Sequence, residues 1–246
     1  MTPDIIAIVV IGFLLGGILK GATGAGAPTI AVPLLAAAVD LRFAIVVFAI
    51  PNLVPNIWQA WAYRKTLLPT EFIVRFVLAG MAGGIAGTWT LAKARPDWLV
   101  LVLAATVLAF IALRLSRPHW VLRYPLALKI APLAGFTAGA LQTGAGLSAP
   151  VSITFLNAMK LERETFMPSI SCFFAGLGLV QIPLLVGYGL MDGPKALLSA
   201  ASLGPLIAGM PIGSWLGRRM SRQSFDRIIL VLLAAIAARL VWGVID

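Results

Sequence analysis

Ten apolar runs succeed one another along this chain: 3–19, 28–39, 43–62, 71–91, 98–115, 126–141, 150–159, 166–187, 195–216 and 225–245. The connectors between them are only a few residues long, except around 116–125. A helix that crosses a bilayer needs about 20 predominantly apolar residues. Eight of the runs come near that length, while 28–39 and 150–159 fall well short. Only 11% of the 246 residues are charged, against about a quarter in a soluble domain. Too little charge is present to cover a water-exposed surface, so lipid must cover it. With no water in the bilayer core, backbone groups must pair internally, and helices of this length do so. The expected fold class is an all-α integral membrane protein.

The position of the charges predicts sidedness. The formal net charge of +10 comes largely from short loops: Arg64 and Lys65, then Arg114, Arg117, Arg123 and Lys129, then Arg218, Arg219 and Arg222. Lys and Arg concentrate in the cytoplasmic loops of membrane proteins, so these loops are expected inside, and nucleic acid is not an expected partner. No basic stretch and no small-residue cleavage site accompanies the first run, which reads as a retained helix. The expected location is the cell inner membrane, with several passes. Cys172, the one cysteine, rules out an internal disulfide and reads as a packed small residue. His119, the one histidine, reads as a solvated loop residue. No metal, cofactor or catalytic residue is expected.

The two halves resemble each other. Gly12-Phe13 followed by Gly16 recurs as Gly135-Phe136 followed by Gly139. Next come Gly21-Ala22-Thr23-Gly24-Ala25-Gly26-Ala27-Pro28 and Thr143-Gly144-Ala145-Gly146-Leu147-Ser148-Ala149-Pro150. A short apolar run and a charged turn follow in each half, Asp40-Leu41-Arg42 and Glu162-Arg163-Glu164. Gly87-Thr88-Trp89 is later matched by Gly213-Ser214-Trp215. Ordered matches of this kind mark an internal duplication. Residues 1–116 form the first expected repeat, 117–125 a cytoplasmic connector and 126–246 the second repeat. Keeping the basic loops on one side requires an odd parity in each half. The repeats are then inverted, with both termini, Asp4 and Asp246, outside. Lys93 and Arg95 fit this arrangement least well, because it puts them outside beside Asp97.

Glycine, threonine and proline clustered at membrane depth need a reason, since non-helical backbone there is costly unless buried by protein or lining a wet cavity. Proline suits the first turn of a helix, so Pro28 and Pro150 are expected to start the two short helices. Each half would then hold a broken or re-entrant helix pair. Two helix N-termini aimed from opposite faces at the breaks would favour an anion near the midplane. Gly24, Gly26, Gly144 and Gly146 form the breaks, and Thr23, Thr29, Gln142, Thr143, Ser148 and Ser152 supply hydrogen-bonding groups. Gly12, Gly80, Gly83, Gly84, Gly87, Gly209 and Gly213 read instead as helix-packing positions. Lys20, just before the first break, reads equally as an anion-binding cation and as a side chain that snorkels to the interface. Asn52 and Gln181 read equally as cavity-lining groups and as interhelical hydrogen-bond partners. No acidic residue lies in the middle of a run, so coupling through a buried carboxylate is not expected.

On Gly12-Phe13-x-x-Gly16, Gly21-Ala22-Thr23-Gly24-x-Gly26-x-Pro28 and the matching Gly135-Phe136 and Thr143-Gly144-x-Gly146-x-Ser148-x-Pro150, the chain resembles the TauE/SafE family of membrane permeases, often called sulfite exporters. The resemblance covers nearly the whole chain. Ala27 and Ala149 stand where members typically carry a further glycine. The resemblance implies movement of sulfite, sulfonates or related anions across the bacterial inner membrane. A secondary transporter working by alternating access is therefore expected, with a small anion and the lipid bilayer as partners and a homodimer left open. A passive anion channel would show wetter helices, and an integral-membrane enzyme would need buried acids, bases or ligands. A purely structural subunit would leave the paired breaks unexplained.

Overall fold

The architecture is that of a computed structural model, which describes residues 3–116, 120–219 and 222–245. Arg117, His119 and Asp246, named above, lie outside the described residues. Every regular element among the described residues is helical: α1 (Pro3–Thr23), α2 (Ala27–Ala38), α3 (Leu41–Ala62), α4 (Thr70–Lys93), α5 (Pro96–Ser116), α6 (Tyr124–Ala145), α7 (Ser152–Ala158), α8 (Arg163–Gly187), α9 (Gly193–Ala201), α10 (Leu203–Arg219) and α11 (Arg222–Ile245), with a 3-10 turn at Arg64–Thr66. Among the described residues, seven helical segments are long and apolar enough to cross a membrane: α1, α3, α4, α5, α6, α8 and the continuous stretch α9–α10.

Ten runs become eleven helices because 195–216 divides at Ser202. Pro205, in the first turn of α10, has no N–H with which to continue the ladder of α9. The two short runs remain short. At 1.5 Å per residue, the 12 residues of α2 reach ~18 Å, against ~30 Å of hydrocarbon. The seven residues of α7 reach still less, so neither crosses alone. Pro28 stands in the first turn of α2 as expected. Pro150 does not begin α7. It lies in a turn, and the helix starts two residues later at Ser152. The carbonyl of Ser148 takes the N–H groups of both Val151 and Ser152, so the chain closes a turn before it enters the helix.

Helices from opposite halves hold each other at backbone distance. A Cβ on Gly213 would strike the carbonyl of Ile18, and one on Gly87 that of Ala140. Gly209 meets the carbonyl of Leu14 as Gly83 meets that of Phe136, and Gly17 meets that of Leu206 as Gly139 meets that of Gly80. Thus α1 lies against α10 in the manner that α6 lies against α4. Glycine at these crossings removes the side chains that would hold two backbones apart. Larger side chains fill the remaining interior: Phe13 stacks on Phe48 with centroids 5.7 Å apart, and Phe76 on Phe173 at 4.6 Å. All seven tryptophans are exposed or lie near helix ends: Trp58, Trp61, Trp89, Trp98, Trp120, Trp215 and Trp242. Such rings favour the bilayer interface.

Cross-links sort the helix ends into two groups. The Thr66 hydroxyl donates to the carbonyl of Glu164 at 2.6 Å, and Leu122 N–H to that of Ala158 at 2.8 Å. These contacts gather Arg64, Lys65, Arg123, Lys160 and Arg163 at one end. At the other, Arg42 reaches the carbonyls of Leu91 and Ala94 at 3.0 and 2.7 Å. That second group contains Asp40, Lys93, Arg95 and Asp97.

Candidate functional site

Helix α1 stops at Thr23 because the next residues leave helical backbone. Gly24 adopts φ +84° and Gly26 φ +98°, left-handed values that glycine tolerates and other residues resist. The last carbonyls of a helix lose their intrahelical donors, and here side chains replace them. Lys20 O accepts from Gly24 N–H at 2.7 Å. Gly21 O accepts from Ser214 Oγ at 3.1 Å and from Arg163 Nη2 at 3.3 Å. Thr23 turns its hydroxyl onto Leu19 O at 2.8 Å and also onto Ala25 O. The second half stops α6 at Ala145 with Gly146 at φ +79°. Gly24 packs on Met167 at the start of α8, and Gly146 on Val32 of α2 and Ile45 of α3. Each break therefore rests on the helices of the other half.

The two breaks differ in their polar groups. At the second, Gln142 folds back and closes a network. Its Oε1 accepts from Ser148 N–H at 3.1 Å and Ser148 Oγ at 2.8 Å, while Nε2 donates to Gly146 O at 3.3 Å. Ser148 Oγ lies 3.0 Å from Ser152 Oγ, which donates to Ser148 O at 3.0 Å. Thr143 points away, onto Gly84 O of α4 at 2.8 Å, and Gly144 lies against Gly87. These groups are hydrogen-bonded largely to one another.

The first break opens instead onto a cavity of ≈ 380 Å³. Thr23, Ala25, Gly26 and Thr29 form one wall, the α7–α8 corner with Asn157 and Arg163 another, and Phe110 and Arg114 of α5 a third. Thr29 is 2% exposed, and its Oγ1 has no hydrogen-bond partner. A buried hydroxyl left unpaired is destabilising and marks a place for an acceptor or donor from outside. The positive end of α2 points the same way. Arg163 and Arg114 add guanidinium charge, and no acidic residue is among the described residues lining the cavity. A chamber so built attracts anions.

The remaining candidates lie elsewhere. Lys20 does not snorkel to an interface. It is 3% exposed, and its Nζ donates to Asn56 Oδ1 at 2.7 Å. Asn52 supports that contact, its carbonyl accepting from Asn56 Nδ2 at 2.6 Å, and is not among the residues lining that cavity. Gln181 on α8 is buried with its Nε2 unpartnered. Cys172 is a free, half-buried thiol. Sequence reasoning missed Arg114, Arg163 and Asn157 as lining groups. The two arginines carried a signal, but one read only as a mark of sidedness. Nothing in the pattern showed that the α7–α8 corner would fold against the first break.

A second cavity of ≈ 640 Å³ lies at the far end of α2, lined by the α2–α3 corner with Asp40 and Arg42, by the start of α5, and by Lys195 and Arg239. The first cavity has the α7–α8 corner, the end of α5 and the start of α11. The two share a plan with the halves exchanged.

No curated protein and no solved structure matches the chain. The family model described as the sulfite exporter TauE/SafE matches residues 8–240, which include both breaks, the buried lysine and every residue lining the arginine-flanked chamber. The chain belongs to the sulfite exporter TauE/SafE family, whose members are membrane transporters.

Proposed function

We propose that the protein carries a small anion, sulfite or an organosulfonate, across the inner membrane by alternating access. One observation carries the reading: the ≈ 380 Å³ cavity joins the first break to two arginines and an unpartnered buried threonine, with no acidic residue among its described lining. Thr29 and the N-terminus of α2 orient the anion there, while Arg163 and Arg114 draw it in. Charge-assisted bonds from guanidinium to a tetrahedral or pyramidal oxyanion are strong and geometrically selective.

The internal duplication supports the alternation. The repeats are read as 1–116 and 126–246, inverted, because α1 on α10 repeats the contacts of α6 on α4. The basic end is read as cytoplasmic by the positive-inside rule. In that frame the cavity faces inward, and the hydrogen-bonded Gln142–Ser148–Ser152 network closes the opposite break. Exchange of the two arrangements would open the second break and close the first. A passive channel would need a wetted path through both breaks, and the second is closed on itself.

The test is thermal unfolding of the detergent-purified protein with sulfite, sulfate, thiosulfate, sulfoacetate, taurine, oxalate and acetate. A ligand that binds the folded state raises its Tm with dose. A rise confined to one or two oxyanions supports the reading and names the class. No rise with any of them refutes it.

A further inference from the structure

Lys20 is sealed from solvent one helical turn before the first break. Its Nζ has one hydrogen bond among the described residues, to Asn56 Oδ1. Asn56 offers no second acceptor atom, because its Nδ2 only donates, here to the Asn52 carbonyl. An ammonium carries three donors and needs acceptors or a counter-charge, whereas a neutral amine carries two donors and a lone pair. One neutral acceptor therefore suits the amine far better than the cation, and a buried unpaired charge is costly. Among the described residues, the elements packed around α1 give Lys20 no carboxylate partner. Helix α2 has no charged residue, and α10 has Arg218 and Arg219 in its last turn. In α3, Arg42 is bound to carbonyls at the far end and Asp40 caps Phe43 N–H there. From α8, Arg163 reaches Gly21 O, while Glu162 and Glu164 lie exposed at its start.

We propose that Lys20 is the proton site that couples anion movement to protons. The proposal rests on the carrier reading above. While the protein is closed and empty the amine is neutral. An anion settling beside Thr23, three residues along the same helix face, supplies the missing counter-charge. The lone pair of Nζ then takes a proton from water and forms an N–H bond. When the anion leaves on the other side, that bond breaks and the proton returns to water there. One proton thus accompanies each anion, and the direction of net flux follows the combined gradient.

The experiment uses the full chain in proteoliposomes with the membrane potential clamped at zero, and sulfate and methanesulfonate as probes, because both stay ionised across the pH range used. Sulfite, sulfate and methanesulfonate are first followed by exchange at matched pH. No exchange of any of the three sinks the carrier reading itself. With exchange established, a lumen one pH unit more alkaline than the outside should drive accumulation toward about tenfold, and a lumenal dye should report acidification that depends on the added anion. Accumulation that ignores the pH gradient, with no anion-dependent proton entry, overturns the coupling while leaving the carrier. In Lys20→Gln and Lys20→Arg, which cannot cycle a proton, any remaining flux should lose its response to pH. Retention of that response in either variant places the proton elsewhere and overturns the assignment to Lys20. The wild-type dye signal decides the coupling even if a variant fails to fold.

Discussion

The Thr143 hydroxyl donates to the carbonyl of Gly84 at 2.8 Å, tying α6 to α4 where the two backbones touch. It bonds its own Gly139 carbonyl as well, at 3.1 Å. Thr143 thus fastens two helices together. Thr143→Val should cost about 0.5–1.5 kcal/mol of stability and leave the dose-dependence of anion-induced Tm shifts unchanged. Loss of the shift in a folded variant would return Thr143 to the site.

Glycine at the crossings makes a sharper stability prediction. A Cβ at Gly83 or Gly213 would fall onto a carbonyl oxygen of the facing helix. Backbone cannot step aside as a flexible side chain can, so Gly83→Ala and Gly213→Ala should each cost roughly 1–3 kcal/mol. Gly187→Ala, where nothing lies within 4 Å, should be close to neutral. Unfolding midpoints of the three variants in one detergent check the contrast.

At the cavity, Thr29→Val removes a buried hydroxyl that has no partner, at nearly constant volume. The empty protein should be as stable as wild type or slightly more so. Anion affinity should fall by about 0.5–1.5 kcal/mol, read as a rightward shift of the Tm dose curve. Arg163→Gln should weaken the same anions more, because it removes a charge. Unaltered dose curves in both variants would contradict the cavity.

Asp192 caps α9 by accepting from Lys195 N–H at 2.9 Å. That backbone bond, then the Lys195 ammonium at 3.1 Å, holds its carboxyl below the ordinary carboxylate range. A folded-state value below the unfolded one means the stabilisation is present above about pH 4 and disappears as the pH falls through the lowered folded value. Asp192→Asn keeps a capping oxygen but drops the charge. It should be less stable than wild type at neutral pH, with the difference closing in acid. A difference that persists unchanged at low pH would mean the charge is irrelevant.

Sidedness can be read by labelling in a Cys172→Ser background with a membrane-impermeant maleimide. Single cysteines at Asp97 and Lys195 should react in intact cells, and those at Arg64 and Arg123 only after the membrane is opened. The reverse pattern would turn the protein over, and mixed labelling within either group would refute the grouping of helix ends.

Much of the architecture was legible because lipid imposes a simple rule: a run of about 20 apolar residues is a helix. Gly24 and Gly146, singled out by their glycine-rich motifs, take backbone angles that few residues accept. What a break does with its polar groups was not legible. Ser148 and Thr29 look alike in sequence, yet Ser148 is consumed by Gln142 while Thr29 is left unpaired. That difference depends on whether a side chain long enough to fold back stands nearby, and on which distant corner closes the space. Gln142 does this for the second break. Its counterpart before the first break, Lys20, is drawn off by Asn56, 36 positions away in sequence. Likewise, Pro150 carried the signal of a helix start, but two N–H groups found Ser148 O first.

Because α1 is clasped by α10 and α6 by α4, the seams of this molecule do not run along the boundary between its two sequence halves. The tightest joints run between the halves, backbone on backbone, and two surfaces in such contact cannot slide without lifting apart. Any rocking motion must therefore leave α1 with α10 and α4 with α6 as intact blocks, each taking one helix from either half of the chain. A chain cut at the central connector would yield two pieces that each lack a partner for their first helix, and they should be stable only when made together.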